Sequence, residues 1–472
     1  MGLKEWFSSK LKMKKWLLFI LVGVFFISYS LAKIFSGQTT LEISSAIQYG
    51  IVFVVGCVCV VFSYIMSQRQ LLMAIAEATT KSNGRSVNIK KLLYDKTAID
   101  KGIKIVVIGG GAGLAAVLKG LKDYSNNITA IVNTASGGNS EDVMTKEFGI
   151  LPPNDIRQSL VALSSSEEKM QNLMRYKFKT GNLKGQNFAN LLLIAMNDIC
   201  DKNFAKAIQD TSEVLSVTGK VLPVTLDKTN IGAILKDGTR VIGEDNITDR
   251  VILRNSPIEK IFLQPSACEP APGVIKSIKE ADLIVIGPGN LYTGIIPNML
   301  LKEVADAIKR SEALKIFVSN IMTEPGQTDN YKVSDLINAI HEHVGKGVME
   351  YCLVNESDIM PEYIRRYNEE GADLLEADKS AMKATGVKIV TCDLATTDDK
   401  GYIRHNPRKL GKAIMTIVCD NMDLRHDKHA FEAYMIKSKM NNTKKKKKSI
   451  LFQPVKVVKT TKRKNDAHGD VH

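Results

Sequence analysis

The sequence lacks the residue arrangements that mark several common kinds of site. Its seven cysteines include no Cys-x-x-Cys spacing, so neither a zinc site nor a disulfide framework is indicated. No Ser/His/Asp or Cys/His order typical of nucleophilic catalysis stands out. His341 and His343 lie two residues apart on a predicted helix, and side chains at that spacing face different directions. We therefore expect reduced, buried thiols and no metal held by this histidine pair.

The chain also lacks an excess of positive charge in the region between its two ends. Its 472 residues carry a net charge of +14, of which residues 1–15 contribute +4 and residues 437–472 contribute +10. The region between these ends is neutral overall. A nucleic-acid-binding domain concentrates positive charge on its folded surface. The sequence therefore predicts no nucleic-acid partner.

Two long apolar runs lie near the N-terminus. Trp16–Ala32 and Ile47–Met66 are each about long enough to span a bilayer as a helix. Lysines precede the first run, basic residues follow the second, and the connecting loop Phe35–Ile43 has no lysine or arginine, which by the positive-inside rule places both ends in the cytoplasm. A cleaved signal peptide would explain the first run only. We expect residues 1–67 to form a transmembrane hairpin, making this a two-span protein of the cell membrane.

Three further segments follow the hairpin. Residues 68–101 read as a polar linker, residues 102–425 as one globular domain, and residues 426–472 as a basic tail. The tail contains the run Lys444–Lys448 and loses apolar periodicity, so we predict disorder. Such a tail either solubilises the protein without a specific partner or is attracted to the anionic inner leaflet.

Strand and helix patterns alternate within residues 102–425, which is typical of an α/β fold with a doubly wound parallel sheet. Residues 165–215 are predicted to form a helical insertion, and Val214–Leu222 and Ile231–Leu235 a small added sheet. The main strand candidates are Ile103–Ile108, Ile128–Val132, Leu283–Ile286, Ile316–Val318 and Val387–Val390.

The first of these strands runs directly into a glycine cluster, Gly109-Gly110-Gly111-Ala112-Gly113, and a helical pattern follows. Glycines let a backbone approach an anion closely, and the helix directs free N–H groups at it. A tight turn without a ligand gives the same pattern. The second strand ends in Asn133–Ser140 without the acid that holds a ribose hydroxyl, so NAD is disfavoured.

Three other loops contain candidate ligand-binding residues. In Leu151–Arg157, Asn154 or Asp155 could cap a helix, and Arg157 could meet a phosphate or an ion-pair partner. Gly287–Thr293 is a second junction of a strand with a glycine loop, or a plain turn. Ser319–Thr328 offers amide and hydroxyl groups suited to a sugar, although an ordinary polar loop has the same composition.

Taken together, these loops resemble the CofD-like superfamily and, within it, the YvcK-type gluconeogenesis factors. The resemblance covers about residues 102–410 in order and spacing. The matching pieces are Val107–Gly113, Glu147–Arg157, Val285–Thr293, Ile295–Asn298, Asn320–Thr328 and the closing Arg404–Leu410.

The resemblance implies a Rossmann-like fold and one of two functions. One branch of the family binds a UDP-N-acetylglucosamine type of nucleotide sugar and regulates cell wall precursor supply and cell shape in bacteria. The other transfers a phospholactyl group from a guanosine diphosphate donor with a divalent metal. A homodimer and a Ser/Thr kinase acting on the tail are further partners that the resemblance implies.

One departure from the family pattern favours binding over transfer. The family usually has Asp-Asp-Gly-Gly-Ser-Ser-Gly-Arg where this chain has Ser136 to Val143, and a family histidine is replaced by Gln186. Mg²⁺ needs anionic oxygen ligands, which serine and glycine do not supply. We therefore expect no cofactor, Mg²⁺ only if transfer occurs, and no catalytic residue. The expected ligand-binding residues are Gly109, Gly110, Gly111, Gly113, Asn154, Asp155, Arg157, Asn187, Asn190, Gly287, Gly289, Asn290, Tyr292, Asn320 and Thr323.

Overall fold

The computed structural model of the protein describes residues 14–35, 48–66, 102–135, 147–165, 168–398, 400–421 and 456–457. These residues belong to two compact units, Met1–Thr97 and Ala98–His472. Three predicted segments lie outside the described residues: the linker 68–101, the basic tail except Lys456–Val457, and the loop that departs from the family pattern.

The first unit contains two helices, α1 (Lys14–Phe35) and α2 (Gln48–Met66). They pack closely, because a Cβ placed on Gly23 would lie 2.9 Å from the carbonyl oxygen of Gly56. In the described part of the chain, α2 alone is long and apolar enough to cross a membrane, whereas the apolar stretch Phe19–Lys33 of α1 is shorter. The prediction of two spanning helices is therefore not supported: one helix meets the criterion, by length and composition.

The second unit begins with the elements that form the centre of its main sheet and the helical insertion. In chain order these are β1 (Ile105–Gly109), α3 (Gly111–Leu121), β2 (Ile128–Val132), α4 (Asn154–Leu163), α5 (Glu168–Arg175), α6 (Phe188–Ile199), α7 (Phe204–Val214), β3 (Lys220–Pro223), β4 (Asn230–Leu235), β5 (Arg240–Ile242), α8 (Glu244–Arg254) and β6 (Ile258–Gln264).

The second half of the unit alternates helices and strands more regularly. It contains α9 (Val274–Lys279), β7 (Leu283–Ile286), a π-helix (Leu291–Ile295), α10 (Ile296–Met299), α11 (Lys302–Arg310), β8 (Leu314–Val318), α12 (Val333–Val344), β9 (Tyr351–Asn355), α13 (Pro361–Glu369), α14 (Lys379–Ala384), β10 (Lys388–Cys392), β11 (Ala395–Thr397), β12 (Ile403–His405), α15 (Pro407–Asn421) and β13 (Lys456–Val457).

The main sheet has the strand order β13-β10-β9-β8-β7-β1-β2-β3. Seven strands are parallel, and β13 pairs antiparallel with β10. The chain builds outward from β1 in both directions, so the order reverses between β1 and β7. Ligands of open α/β sheets bind at such a switch point, beyond the carboxyl ends of the strands.

Both faces of the sheet are buried. Val106 and Ile108 of β1 belong to one apolar cluster, and Ile105 and Val107 to the other, as the alternation of side chains along a strand requires. Strands covered on both faces are continuous apolar runs, which is why these segments were recognisable in the sequence. The predicted α/β fold with a parallel sheet is confirmed.

Several sequence predictions need correction in detail. Val214–Leu222 was expected in the small sheet, but β3 joins the main sheet beside β2, and the small sheet is β5-β4-β6. Strand β9 was missed. Residues Lys456–Val457 form β13, so the tail is not without structure there. All seven cysteines are free, although only Cys200, Cys352 and Cys419 are buried.

Helix α3 is held against the sheet by α15, and the two cross at a pair of glycines. A Cβ on Gly120 would overlap the carbonyl oxygen of Pro407 and lie 3.0 Å from the amide nitrogen of Gly411. We predict that Gly120→Ala destabilises the protein by about 1–3 kcal/mol through overpacking, although the same change in an open helix stabilises by up to about 1 kcal/mol. Chemical denaturation measures the difference.

Gly294→Ala provides the matched control for this prediction. The nearest atom to a Cβ there is the Cβ of Asn290 at 3.7 Å, an ordinary contact, so its free energy of unfolding should change by less than about 1 kcal/mol. Equal changes in the free energy of unfolding for Gly120→Ala and Gly294→Ala would contradict the close packing of α3 against α15 at Gly120.

Candidate functional site

A cavity of about 720 Å³ lies at the switch point of the sheet, between the loops that follow β1 and β7. Its volume is in the range of about 300–1,000 Å³ typical of small-molecule sites. Nine of the fifteen residues expected from the sequence line it: Gly110, Gly111, Gly113, Asn154, Asp155, Gly289, Asn290, Asn320 and Thr323.

The two glycine loops contact each other backbone to backbone. A Cβ on Gly113 would overlap the carbonyl oxygen of Pro288, and one on Gly289 would lie 3.0 Å from the carbonyl oxygen of Gly110. Gly111 has φ +66°, which an L side chain rarely adopts. Close approach and backbone conformation thus require these glycines, and the first turn of α3 faces the cavity with the Asp155 carboxyl group next to Gly110 and Gly111.

Asp155 closes the floor of this glycine cradle. Its Oδ1 accepts a hydrogen bond from the N–H of Gly111 at 2.9 Å, so it does not cap its own helix α4 as the sequence had suggested. Burial, and secondarily the nearby Glu244 carboxylate, raise the pKa of Asp155 to about 6, although the Gly111 hydrogen bond and Arg157 act in the opposite direction. The carboxyl group is therefore half protonated at about pH 6 and mostly ionised at neutral pH.

Two polar loops complete the wall opposite α3. Asn320 accepts a hydrogen bond from the N–H of Gly289 through Oδ1 at 3.3 Å, which ties the β8 loop to the β7 loop. The Thr323 hydroxyl accepts one from the N–H of Asp373 at 2.8 Å. Asn133, at the end of β2, donates to the carbonyl of Thr293 at 2.9 Å. These bonds fix the positions of three loops from different strands around one space.

Six expected residues do not line the cavity. Gly109 and Gly287 lie at the ends of β1 and β7, behind the cradle, and Tyr292 is buried with its hydroxyl 2.6 Å from that of Tyr331. The remaining three are on helices: Arg157 donates to Asn154 Oδ1 at 3.3 Å, Asn187 caps α6 by accepting from the N–H of Ala189, and Asn190 follows in that helix.

The cavity also contains charged and aromatic residues that were not predicted as site residues. They are Lys119, Glu244, Glu324, Tyr367, Arg404 and His405. Arg404 and His405 lay within the closing segment of the family pattern, so a signal existed for them. Glu324 also lay within the matching piece Asn320–Thr328, and Lys119 lies in the helix that follows the glycine cluster, whereas no local pattern marked Glu244 or Tyr367.

Burial adjusts the charge of this lining. It raises the pKa of Glu324, with the Glu244 carboxylate adding to the effect, and it lowers the pKa of Lys119, where Arg175 and Lys122 contribute. Burial also lowers the pKa of His405 to about 4. Burial thus disfavours the charged form of each of these three side chains.

Nothing in the described lining supplies a metal site. Over the described ranges, no group of three or more His, Cys, Asp or Glu side chains is placed to hold a metal ion. Glu244, Glu324 and Asp155 share the cavity without forming such a group. The family's missing aspartates correspond to Ser136 and Gly137, which lie outside the described residues. The described residues that line the cavity therefore do not form a binding site for Mg²⁺.

Asp155 should make the stability of the protein fall as pH rises. Its pKa is about 6 in the fold against 3.8 for a free side chain, so the stability that protonated Asp155 contributes is present below about pH 4 and is lost as the pH rises through about 6, by an amount on the order of 1–3 kcal/mol. Asp155→Asn keeps the acceptor for Gly111. We predict equal stability of variant and wild type near pH 4 and a more stable variant at pH 7.5, measured by denaturant unfolding.

The exposed Asp358→Asn serves as the control, with an expected change within about 0.5 kcal/mol at both pH values. A pH-independent difference between Asp155→Asn and wild type would contradict the assignment of the raised pKa.

Comparison with known proteins identifies the family. The model of a family described as 2-phospho-L-lactate transferase CofD matches residues 105–395. The gluconeogenesis factor of Bacillus subtilis is 38% identical over 316 residues, which cover 67% of this chain and 98% of that protein. A Clostridium acetobutylicum relative is 38% identical over 444 residues, covering 94% of this chain and 98% of the relative.

Solved structures agree with the sequence comparison. The crystal structure of a UPF0052 family member from Bacillus halodurans is 38% identical, with a TM-score of 0.63, and covers 66% of this chain and 99% of that one. The fold, the family model and the relatives coincide over the same α/β unit. The chain therefore belongs to the CofD-like family, among relatives that carry the name gluconeogenesis factor.

Proposed function

We propose that this protein is a regulatory protein that binds a nucleotide sugar of the UDP-N-acetylglucosamine type and thereby supports cell wall precursor supply and cell shape. The observation that carries the proposal is the cavity at the switch point, where the first turn of α3 and the glycine loop after β7 meet. Backbone N–H groups at a helix N-terminus bind phosphate. The polar loops after β2 and β8 suit the hydroxyl groups of a sugar.

The electrostatics of the cavity are compatible with a diphosphate. A phosphate near Gly111 would lie beside the Asp155 carboxyl, and two like charges there would repel. Because the pKa of Asp155 is already about 6, an arriving anion needs only a modest further shift to protonate it. Lys119 and Arg404 supply positive charge on the same lining.

A phospholactyl-type transferase using a nucleotide diphosphate donor is the second candidate, favoured by the family model that matches residues 105–395. It requires a divalent metal beside the phosphates, and the described residues do not provide its ligands. Glu141 and Asp142 lie outside the described residues and would have to serve instead. We therefore rank regulated binding above transfer.

We further propose that the first unit tethers the protein to the inner membrane, with its main domain in the cytoplasm. The argument is the outer surface of the α1–α2 pair, where large apolar side chains are exposed: Phe19, Leu21, Val24, Phe25, Ile51, Val54, Val58, Val61, Phe62 and Ile65. By contrast, Ser30 and Ser63 are buried between the helices, and Ser30 donates to the carbonyl of Tyr49 at 2.6 Å. Polar side chains between the helices and apolar side chains on their outer surface are the pattern of helices surrounded by lipid.

Calorimetry with UDP-N-acetylglucosamine tests the binding site by comparing two variants of Ala112 that have the same shape and differ in charge, Ala112→Asp and Ala112→Asn. Ala112 is exposed in the first turn of α3 and lines the cavity. Ala112→Asp adds a charge that a helix N-terminus tolerates well but that repels a phosphate. We predict at least a tenfold weaker affinity for Ala112→Asp, while Ala112→Asn stays within about threefold of wild type and both keep the wild-type melting temperature.

Two outcomes would contradict this proposal. Wild-type protein that gives no heat at millimolar UDP-N-acetylglucosamine lacks the expected affinity. Equal binding by Ala112→Asp and Ala112→Asn places the phosphates elsewhere. Magnesium-dependent product formation from a guanosine diphosphate-linked phospholactyl donor would instead favour the transferase.

The proposed membrane attachment of the first unit is tested by introducing charged side chains on the outer face of α2. Val54 and Val58 are 59% and 61% exposed, and a lysine at the centre of a spanning helix costs on the order of 2.5–3.5 kcal/mol. We predict that Val54→Lys combined with Val58→Lys moves the protein from the alkali-resistant membrane fraction to the soluble fraction. The paired exchanges Val54→Leu and Val58→Leu are the control, and an unchanged distribution of the lysine variant would count against the tether.

A further inference from the structure

Lys119 is a cation of the cavity lining that lacks a counter-charge. It lies in α3, about two turns after the glycine cluster, and its side chain is half-buried. Over the described ranges, its ammonium group makes no hydrogen bond and no ion pair. The polar atoms that are shielded from solvent without a partner do not include Lys119 Nζ, so a molecule in the cavity can reach this group.

The surroundings of Lys119 disfavour its positive charge. Burial lowers the pKa of Lys119 most, and the positive charges of Arg175, at the end of α5, and of Lys122 lower it further. Lys122 differs from Lys119 because its ammonium group donates to the carbonyls of Ala162 and Ser164 at 3.0 and 3.1 Å. A partly desolvated cation beside like charges is costly, and an anion bound at Lys119 would relieve both causes.

One face of α3 connects Lys119 to the glycine cradle. Ala112, Ala116 and Lys119 follow one another at spacings of four and three residues, which places them on the same side of the helix, and all three line the cavity. The two alanines are small, so α3 puts no bulky side chain between the cradle and Lys119. The backbone positions of Gly111 and Lys119 are about 12 Å apart along the helix axis. A ligand that contacts both must extend beyond a single phosphate group.

We propose that Lys119 binds the second phosphate group of the diphosphate in the nucleotide sugar, while the first phosphate group occupies the glycine cradle. The inference rests on the proposed function, because a ligand of the UDP-N-acetylglucosamine type has two anionic groups and both belong to its diphosphate. An ammonium group and a phosphate form a charge-assisted hydrogen bond. The cavity is thereby specific for a diphosphate over a monophosphate.

Lys119 also provides the diphosphate with a counter-charge that belongs to the protein. Bound nucleotide phosphates are often neutralised by Mg²⁺, but in the part of the chain that the structure describes no carboxylates are grouped to hold such an ion. Lys119 and the N-terminus of α3 would act on the two phosphates directly. We therefore expect the same affinity for UDP-N-acetylglucosamine in excess EDTA as in excess Mg²⁺.

Lys119→Met tests the assignment because it removes the charge and keeps most of the apolar stem. By calorimetry of the full-length protein, we expect UDP-N-acetylglucosamine and UDP to bind about 10- to 100-fold more weakly, since both carry the second phosphate. Lys119→Arg keeps the charge and should recover most of this loss. The matched control is Lys302→Met, which removes an exposed lysine of α11 that does not line the cavity; it should bind within about threefold of wild type.

Unfolding of the ligand-free protein separates a binding role of Lys119 from a structural one. Because the fold disfavours the charged form of this lysine, removing the charge should not reduce stability. We expect Lys119→Met to melt at or above the temperature of wild type at neutral pH, although its affinity for the ligand falls. A structural lysine would instead lose stability, and a clearly lower melting temperature of Lys119→Met would contradict the inference.

Phosphorus-31 NMR of bound UDP identifies the group that Lys119 contacts, because the two phosphates give separate resonances. We expect Lys119→Met to move one of these resonances more than the other. Three results would overturn the inference: wild-type binding of both ligands by Lys119→Met, a loss confined to UDP-N-acetylglucosamine, which would place Lys119 at the sugar, and an equal loss in Lys302→Met. Wild-type protein that binds neither ligand contradicts the proposed function itself, which is a separate result from wild-type protein that binds and a variant that does not differ.

Discussion

The backbone contact between the two glycine loops is the constraint on which the site depends. Gly113 has no room for a Cβ beside the Pro288 carbonyl, and a Cβ on Gly289 would lie 3.0 Å from the Gly110 carbonyl oxygen. Because these loops follow adjacent parallel strands, β1 and β7, their contact fixes the first turn of α3 relative to the rest of the sheet edge. The cradle is formed by main-chain atoms, and a preformed site of this kind loses little conformational entropy when a ligand binds.

The acidic residues around the cradle follow from the same geometry. Asp155 can reach the Gly111 N–H only because Gly110 has no side chain in its path. It then shares a poorly solvated space with Glu244, and Glu324 is affected by the same carboxylate. Burial disfavours the charged forms of all such groups. The proposed phosphate position thus lies beside protonatable carboxyl groups, so the binding of an anion there and the uptake of a proton would favour each other.

The features of the site that could be predicted from the sequence are those determined by residues close together in the chain. The glycine loops, and the loops at Asn154 and Asn320, follow apolar strands directly, and parallel strands bring their carboxyl ends to one edge; they were predicted correctly as neighbours. The prediction that Asn187 lies among them was wrong. An asparagine before a helix is as readily a cap as a ligand contact, and here it caps α6. Glu244 and Tyr367 enter the cavity from helices whose packing no local pattern records. Two transmembrane spans were inferred from apolar length, which among the described helices α2 alone provides.

The walls of the cavity differ in what they can do to a ligand. The wall from β2 presents Asn133, whose amide is already bonded to the Thr293 carbonyl and to the N–H of Ala135, so it orients loops and has no proton to exchange. The loop after β8 presents Asn320, whose amide oxygen accepts a hydrogen bond from the N–H of Gly289, and β12 contributes the neutral ring of His405. General acid–base catalysis needs a group that titrates near the working pH within reach of the reacting atoms. Among the described lining residues with a defined pKa, Asp155 comes nearest to that condition, and it lies beneath the cradle, hydrogen-bonded to the main chain. This distribution of groups suits recognition of a ligand better than its conversion.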